Sequence, residues 1–369
     1  MTHEKKEKRM ETIEEQLFSS CSNGNVKKLK QLLINNSKVN LNCANNEGKT
    51  PFYVACQEGR TKIVKILLND KRVKVNKVDQ YGQTPLEIAC RFGHIEIVKL
   101  LLNDKRVKVN KADRDGWTPF HSACGSGEIE IIKLLLNDER IDVNTVDYKE
   151  RTPFSGACWD DEIEVVKVLL NNERVEINKA DSDDWTAFTR ACHMAHIEIV
   201  KLLLNDQRID VNKTWKFFGN TPFMIACQND DTEVIKLLGT HKRVDINKAD
   251  KKGIAPLYYI CEYGNLEVVE YILAIGRDVN LTSRDGKCML DILNNIKPVR
   301  QADLESEEYF QQRKQSCRNI VKLLKSFKSD PIETRLKLRI KLGFAGKYFI
   351  LYLNLFFIFY LPTIILQIN

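Results

Sequence analysis

A repeat of about 34 residues constrains this chain more than any other feature of its sequence. The dipeptide Thr-Pro, or a close variant of it, recurs with steps of 34, 34, 34, 34, 35 and 34 residues. Its first residues are Thr50, Thr84, Thr118, Thr152, Thr186, Thr221 and Ala255. A fixed period of this length is typical of a stack of small units, each of which buries its apolar face against the next. We therefore expect one repeat array, not two ordinary globular domains, in these 369 residues.

Each repeat unit predicts two helices. Thr is a good N-cap and Pro fits the first helical position, so a short helix begins at Thr-Pro and breaks at a glycine such as Gly59. A second run, "IEIVKLLL" at residues 95–102, has the spacing of a helix with one buried face. We expect this second helix to end on an asparagine in the left-handed conformation. The asparagines concerned are Asn69, Asn103, Asn137, Asn171 and Asn205.

The segment "GQTPLEIACRFGHIEIVKLLL", residues 82–102, resembles the ankyrin repeat. The resemblance covers residues 17–328 and implies an all-α, helix-turn-helix solenoid of about nine units including caps. The caps are a degenerate first unit, "LFSSCSNGNVKKLKQLL" at 17–33, and a last unit that begins with "GKCMLDIL" at 286–293. Terminal units of such arrays are atypical because an interior face would otherwise be exposed.

The chain departs from the family pattern in three ways. One extra residue lies in the loop that follows each second helix, as in "LLNDKRVKVN" at 101–110. The motif histidine survives only as His121, and its column otherwise holds residues such as Glu87. The last unit carries an insertion near 297–316, whose fold the sequence does not define.

The stretch "TPFHSAC", residues 118–124, resembles a thiol beside its base, because His121 and Cys124 are three residues apart on a helix. However, a cysteine stands six residues after the Thr-Pro position in every unit, and an enzyme does not need seven copies of its nucleophile. A small apolar thiol packed between helices explains every copy. We expect Cys124 and its equivalents to be buried and His121 to be structural.

The pattern "CHMAH" brings Cys192, His193 and His196 within possible reach of one metal ion. His196 occupies the Gly-His position of the family and Cys192 belongs to the packing column, so only His193 is left unexplained. No phosphate-binding glycine loop, nucleophile elbow or zinc-protease motif is present in the sequence. We therefore expect no catalytic residues, no metal, no cofactor and no enzyme activity.

If the units stack as in the ankyrin family, the turn before Thr-Pro and the helix end after Ala-Cys form the recognition surface. All four tryptophans align with these columns, together with several smaller aromatic residues. The candidate partner-binding residues are Tyr81, Phe92, Trp117, Tyr148, Trp159, Trp185, Trp215, Phe217 and Tyr263, with Phe218 beside them. Large aromatic side chains at variable positions are the usual anchors of protein interfaces. The alternative is that these rings pack on neighbouring turns and stiffen the array.

The net charge of +7 is concentrated near the end of the chain. Residues 318–347 contain nine Lys and Arg against two acidic residues, and the remainder balances at 48 against 48. A neutral body argues against nucleic acid as the partner, since phosphate binding needs clustered positive charge. We expect a monomeric repeat array that binds a protein.

The two ends of the chain differ from the array. Residues 1–16 form a charged tail without a secretory signal, which indicates a cytoplasmic protein. Residues 329–347 are basic, and residues 348–369 carry no charged side chain and are long enough to span a bilayer as a helix. Three interpretations of 348–369 stay open: a transmembrane anchor with the repeats in the cytosol, a helix docked on the last repeat, or a mispredicted reading frame. The first is favoured.

The sequence as a whole indicates a non-enzymatic interaction scaffold or adaptor. Its partner binds on the concave ankyrin surface, and the C-terminal segment anchors it in a membrane. The alternative is a soluble regulatory subunit of a larger complex with a docked C-terminal helix. An active site within the insertion, at 301–316, has no residues that support it.

Overall fold

A computed structural model of the chain describes residues 11–36, 38–281 and 307–344, with side chains from Gln311 onward in the last range. All regular secondary structure in these ranges is helical. The helices are α1 Ile13–Asn23, α2 Val26–Asn35, α3 Pro51–Gln57, α4 Thr61–Leu68, α5 Pro85–Arg91, α6 Ile95–Leu102, α7 Pro119–Gly125, α8 Ile129–Leu136, α9 Pro153–Trp159, α10 Ile163–Leu170, α11 Ala187–His193, α12 Ile197–Asn205, α13 Pro222–Gln228, α14 Thr232–Thr240, α15 Pro256–Tyr263, α16 Leu266–Ala274, α17 Glu307–Ser329 and α18 Pro331–Lys341. Helices α1 to α16 form eight pairs, and α17 supplies the second helix expected for a ninth unit.

The chain divides into two compact units, residues 1–191 and 192–369. Within the first, the odd-numbered helices α1 to α9 pack one beside the next, and the even-numbered helices α2 to α10 form the adjoining layer. Within the second, α13 packs on α15, and α12, α14 and α16 follow one another. Helix α17 packs on α15 and α16, and α18 packs on α16 and α17. The all-α ankyrin-type architecture of about nine units is therefore confirmed.

The helix starts are those that the Thr-Pro motif predicts. Thr50, Thr84, Thr152 and Thr221 each accept a hydrogen bond on Oγ1 from the backbone N–H three residues later, at 3.0 to 3.1 Å. A proline follows each of these threonines at the first helical position. Ala255 has no side-chain oxygen, and α15 accordingly begins without a side-chain cap.

The second helices end at the predicted asparagines, but the left-handed conformation predicted for them is wrong. Asn69, Asn103, Asn137 and Asn171 directly follow their helices with right-handed backbone conformations, and Asn205 is the last residue of α12. The chain turns at the residue after the asparagine, where Asp70 Oδ1 accepts the backbone N–H of Arg72 at 3.0 Å. Helix α16, which is followed by the shorter loop, has Gly276 just after its end at a φ of 88°. The left-handed ending thus occurs where glycine removes its steric cost, and the extra residue elsewhere allows a right-handed turn instead.

The cysteine column lies in the core, as the repeat predicts. All seven thiols are at most 1% exposed, and they are those of Cys56, Cys90, Cys124, Cys158, Cys192, Cys227 and Cys261. Burial raises the pKa of the Cys124 thiol well above its usual value. A thiol that stays protonated in an apolar layer is a packing group and not a nucleophile.

The end of the array is only partly described. Helix α17 begins at Glu307 and includes the second half of the insertion, so residues 307–316 are continuous with the predicted helix "CRNIVKLL". The first half of the insertion and the helix expected at 286–293 lie outside the described residues, as does the apolar segment 348–369. Among the helices that are described, none has the length and hydropathy needed to cross a membrane.

Candidate partner-binding surface

The loop tips before each Thr-Pro are shaped by one aspartate or its equivalent. In the loop between α6 and α7, Asp113 Oδ1 accepts the backbone N–H groups of Asp115 and Trp117 at 2.9 and 2.8 Å. Asp147 Oδ1 accepts those of Lys149 and Arg151, both at 2.9 Å. An aspartate that bonds the backbone two and four residues ahead closes a tight turn and fixes the direction of the next side chains.

In the compact unit of residues 1–191, backbone hydrogen bonds join the loop tips of successive repeats in a row. The N–H of Arg114 donates to the Tyr81 carbonyl at 3.0 Å, and the N–H of Tyr148 donates to the Asp115 carbonyl at 3.0 Å. The N–H of Ser182 continues the row to the Lys149 carbonyl at 3.0 Å. Side chains carried by different repeats are therefore held at fixed spacing, which reduces the entropy cost of binding a partner.

The predicted aromatic residues of the first unit divide into two groups. Tyr81, Phe92 and Tyr148 are exposed to solvent over 58%, 52% and 64% of their residue surface. The tryptophans of this unit are only half-buried, and they are Trp117, Trp159 and Trp185. Their rings are large enough to pack on the neighbouring turns while one edge faces solvent.

Trp117 packs down onto the helix that it precedes. A side-chain carbon added at Gly125 would lie 3.3 Å from the indole ring of Trp117, so the small residue leaves room for it. The ring also lies near His121, with a centroid separation of 6.3 Å. This tryptophan thus stiffens its own unit, which is the alternative that the sequence left open.

Trp159 and Trp185 are brought together by an arginine that the sequence interpretation missed. The guanidinium carbon of Arg190 lies 5.0 Å from the Trp159 ring centroid and 4.7 Å from that of Trp185. Arg190 Nε donates to Asp181 Oδ2 at 2.9 Å, and Nη2 donates to the same oxygen and to Asp183 Oδ2, the latter at 3.2 Å. A guanidinium held by a carboxylate between two indoles fixes both rings.

A sequence signal for Arg190 exists. In the other units its column holds small, aliphatic or aromatic residues, for example Ser122, Gly156 and Ile225. A single arginine in that column, one repeat after Trp159 and close to Trp185, is the anomaly that would have identified it.

The second unit has its own aromatic cluster. Trp215 is half-buried, and its ring centroid lies 4.7 Å from that of Phe218 and 6.2 Å from that of Phe217. Phe217 and Phe218 are 66% and 49% exposed, and Tyr263 is 39% exposed at the end of α15. The sequence-predicted residues 215, 217 and 218 therefore form one contiguous patch in a single loop.

His121 has the structural role expected of the family histidine. Its Nδ1 accepts the backbone N–H of Thr118 at 3.3 Å, and its Nε2 donates to the Arg151 carbonyl at 3.3 Å. Burial lowers the pKa of the imidazole, so the ring is neutral and ties one repeat to the next loop. With the Cys124 thiol protonated and both ring nitrogens bonded, this pair has no nucleophile and no available base.

The "CHMAH" residues are not assembled for a metal. Cys192 is fully buried, and His193 Nδ1 lies 3.0 Å from Asn229 Nδ2, in position to accept a hydrogen bond. His196 precedes the first residue of α12. Over the ranges that the structure describes, no cluster of three His, Cys, Asp or Glu side chains is placed to hold an ion.

A family profile for ankyrin repeats (3 copies) matches the chain in overlapping segments. These are residues 17–113, 72–147, 105–181, 141–215 and 207–283. The matches run from residue 17 to residue 283, well over half of the 369 residues. The chain therefore belongs to the ankyrin repeat family.

Solved structures agree with this assignment. Matches are found with 577 chains of known structure. One is the crystal structure of the ankyrin repeat domain of Bcl-3, a member of the IkappaB protein family, with a TM-score of 0.55 and 23% sequence identity. The match covers 60% of this chain and 97% of that one, and at this identity it shows the fold alone. No curated protein sequence matches the chain significantly.

Proposed function

We propose that this chain is a non-enzymatic scaffold or adaptor that binds a protein partner through aromatic side chains on its loop tips and first-helix ends. The observation that carries the proposal is the exposure of Tyr81 and Tyr148 on a hydrogen-bonded row of tips and of Phe92 at the end of α5, each more than half exposed. Rigid aromatic side chains presented by a fixed backbone gain contact area with little loss of entropy. In the second unit, the patch of Trp215, Phe217 and Phe218 would serve the same partner or another.

The charges beside these rings favour a protein over a polyanion. Asp115, Asp160 and Asp183 are exposed beside cations such as Arg114 and Lys149. Mixed charge around an apolar centre is the usual rim of a protein interface. Arg190 would hold Trp159 and Trp185 in place on this surface, with the carboxylates of Asp181 and Asp183 bonded to its guanidinium.

The proposal is tested by affinity capture with the chain ending at Phe344, followed by identification of the retained proteins. The informative variant combines Tyr81→Ala, Phe92→Ala and Tyr148→Ala, which are exposed enough to leave the core intact. We expect the specifically retained partner to be lost, with affinity at least about 100-fold lower if each ring contributes 1 kcal/mol or more. Helicity and the unfolding temperature should not change.

A matched control replaces three exposed lysines on the second helices. Lys99→Ala, Lys133→Ala and Lys167→Ala also truncate three side chains, but each of these lysines pairs locally with a glutamate three residues earlier. Retention by the control and loss by the aromatic variant support the proposal. Equal retention by both variants would exclude these rings as the binding site.

A variant that truncates the three half-buried tryptophans is a weaker test of the proposal. Replacing Trp117, Trp159 and Trp185 by alanine would remove half-buried packing in addition to any contact with a partner. Loss of binding by that triple variant is informative only if its unfolding curve matches that of the parent chain. The exposed residues therefore give the cleaner experiment.

The membrane anchor stays a prediction for residues 348–369. It is supported by their uncharged sequence and by the basic residues that precede them. A scaffold held in this way would present its repeats on the cytoplasmic side. The competing proposal is a regulatory subunit whose C-terminal segment docks on its own array.

A further inference from the structure

The last two described helices form a platform at the end of the second unit, where they pack on α15 and α16. Leu338 of α18 is 5% exposed against its neighbours, and Arg335 donates to the carbonyl oxygens of Leu273 and Arg277, both at 3.1 Å. Lys341 Nζ donates to both carboxylate oxygens of Glu270, at 2.6 and 2.7 Å. These contacts fix one face of α18 on α16, so the opposite face points away from α16.

The outer face of α18 carries an aliphatic stripe. Ile332, Leu336 and Ile340 are 78%, 42% and 49% exposed, and their spacing of four places them along one side of the helix. Phe344 lies beyond the end of α18 and is 39% exposed, and its ring packs edge-on against Tyr271 of α16 with a centroid separation of 5.5 Å. Three aliphatic side chains in line on a short surface helix have a cost in water that a membrane or a partner would remove.

One face of α17 is strongly basic. Its cations Lys314, Arg318, Lys322 and Lys325 are all exposed, and their spacings of four, four and three residues place them on one side of the helix. Residues 311–329 contain no acidic side chain. Lys325 of α17 and Lys337 of α18 line the cleft between the two helices, together with Asp330 and Glu333.

We propose that α17 and α18 together dock on the surface of an anionic lipid bilayer. The aliphatic stripe would enter the boundary between headgroups and acyl chains, and the lysines and arginines would lie among the lipid phosphates. Long cationic side chains suit this position because their stems are apolar and their ends reach the headgroups.

Other occupants fit this surface less well. A nucleic acid would use the cations but leave Ile332, Leu336 and Ile340 in water. A second copy of the chain would bring two surfaces of like charge together. In the sequence, the uncharged segment 348–369 begins four residues after Phe344, so a lipid-compatible stretch follows this surface along the chain. The proposal concerns binding along the bilayer and does not require that segment to cross it.

The test is co-flotation of the full chain with two kinds of vesicle, one of phosphatidylcholine alone and one with about 30% phosphatidylserine. We expect binding to depend on phosphatidylserine and to weaken as salt is raised. Hydrogen exchange should slow in residues 331–344 when the anionic vesicles are added. The triple variant Lys314→Glu, Lys322→Glu and Lys325→Glu should lower the affinity at least about 100-fold, and Ile332→Asp with Ile340→Asp at least about tenfold.

Each variant has a matched control elsewhere in the chain. Ile34 is 79% exposed on α2, so Ile34→Asp makes the Ile332→Asp change at an equally exposed isoleucine. Lys71→Glu, Lys105→Glu and Lys108→Glu alter the net charge equally at exposed sites of the first unit. Binding should be unchanged in both controls.

The outcomes separate this docking from the tail anchor and from the aromatic surface. Equal binding to both kinds of vesicle, unaffected by the α17 and α18 variants, would mean that 348–369 inserts alone and would overturn the docking proposal. Binding of an RNA duplex with loss only in the lysine variant would also overturn it. Absence of vesicle binding would refute it and would leave partner capture through Tyr81, Phe92 and Tyr148 untouched.

Discussion

Glu87 stands in the column where ankyrin repeats carry a histidine, and its carboxyl group is fully buried. Its Oε2 accepts the Thr84 N–H at 3.4 Å, its Oε1 accepts the Ser122 hydroxyl at 3.3 Å, and Arg91 Nη2 lies 3.6 Å away. Burial, followed by the charge of Asp113, raises the pKa of this carboxyl to about 8. The histidine column can therefore hold an acid, provided that the acid stays protonated.

This raised pKa predicts a pH dependence of stability. Between the usual carboxyl pKa and about 8, folded Glu87 binds a proton that the unfolded chain releases, so the free energy of unfolding falls as pH rises through this window. The slope from this one group is at most about 1.4 kcal/mol per pH unit. Glu87→Gln should remove that component and become more stable than the parent chain as the pH rises from 5 to 8.5.

Denaturant unfolding at several pH values measures the difference between the two chains. Glu96→Gln is the control, because Glu96 is exposed on α6 and pairs only with the surface cation Lys99. Its profile should run parallel to that of the parent chain. A parallel profile for Glu87→Gln as well would show that Glu87 has an ordinary pKa in the folded protein.

At the scale of the helices, arginines in several inter-repeat loops close the end of a helix in the preceding repeat. Arg140 Nη2 donates to the Leu102 carbonyl at the end of α6 at 2.6 Å, and Arg106 does the same for Leu68 at the end of α4 at 2.7 Å. A cation at a C-terminal carbonyl satisfies an orphan acceptor and opposes the helix dipole. In the first unit these arginines link each repeat to the next.

We expect Arg140→Ala to lower the free energy of unfolding by about 1–2 kcal/mol, through loss of a charge-assisted hydrogen bond to the end of α6. Lys133→Ala is the control, since its pair with Glu130 is exposed on both sides and is worth less than about 0.5 kcal/mol. Thermal unfolding of both variants measures the contrast. Equal losses would mean that Arg140 acts only as a surface charge.

The Asp-x-Arg turn also makes the array sensitive to acid. The hydrogen bonds from Arg140 hold the pKa of Asp138 below its usual value, and the same pair recurs at Asp70, Asp104 and Asp206. A carboxyl group whose pKa is lowered by folding stabilises the folded chain at pH values above its unfolded-state pKa. This stabilisation is lost as the pH falls through the folded-state pKa. Glu87 and these aspartates therefore act in opposite directions as the pH changes.

At the scale of the whole chain, the point at which the array ends decides how the tail must be tested. Helix α18 packs on α16 through Leu338 and Arg335, so a chain cut at Ser329 would lose these contacts. A cut after Phe344 keeps the platform and removes only residues that follow it. The cut at Ser329 therefore tests α18 and the tail together, and the cut after Phe344 tests the tail alone.

In carbonate extraction of membranes, we expect the full chain to stay in the pellet and the chain ending at Phe344 to be released. Carbonate strips proteins that are held at the bilayer surface, so the platform of α17 and α18 alone should not resist it. Release of the full chain as well would exclude residues 348–369 as a spanning anchor. Resistance of the shorter chain would show that an earlier segment is inserted.

The sequence by itself determined the repeat, the helix starts at Thr-Pro, the buried cysteine column and the family. These features are set by local capping and by apolar periodicity, and both can be read from neighbouring residues. The sequence also predicted which columns would face a partner, but not how far each side chain in them is exposed.

Only the tertiary structure decided the contacts between residues that are far apart in the chain. The sandwich of Trp159, Arg190 and Trp185, the capping of Leu102 by Arg140, and the buried acid Glu87 each depend on a neighbouring repeat. The same is true of the stripe on α18, which is exposed because Leu338, and not Leu336, faces α16. Exposure and pKa depend on what packs against a residue, and a periodic pattern fixes the partner helix without fixing the partner atom.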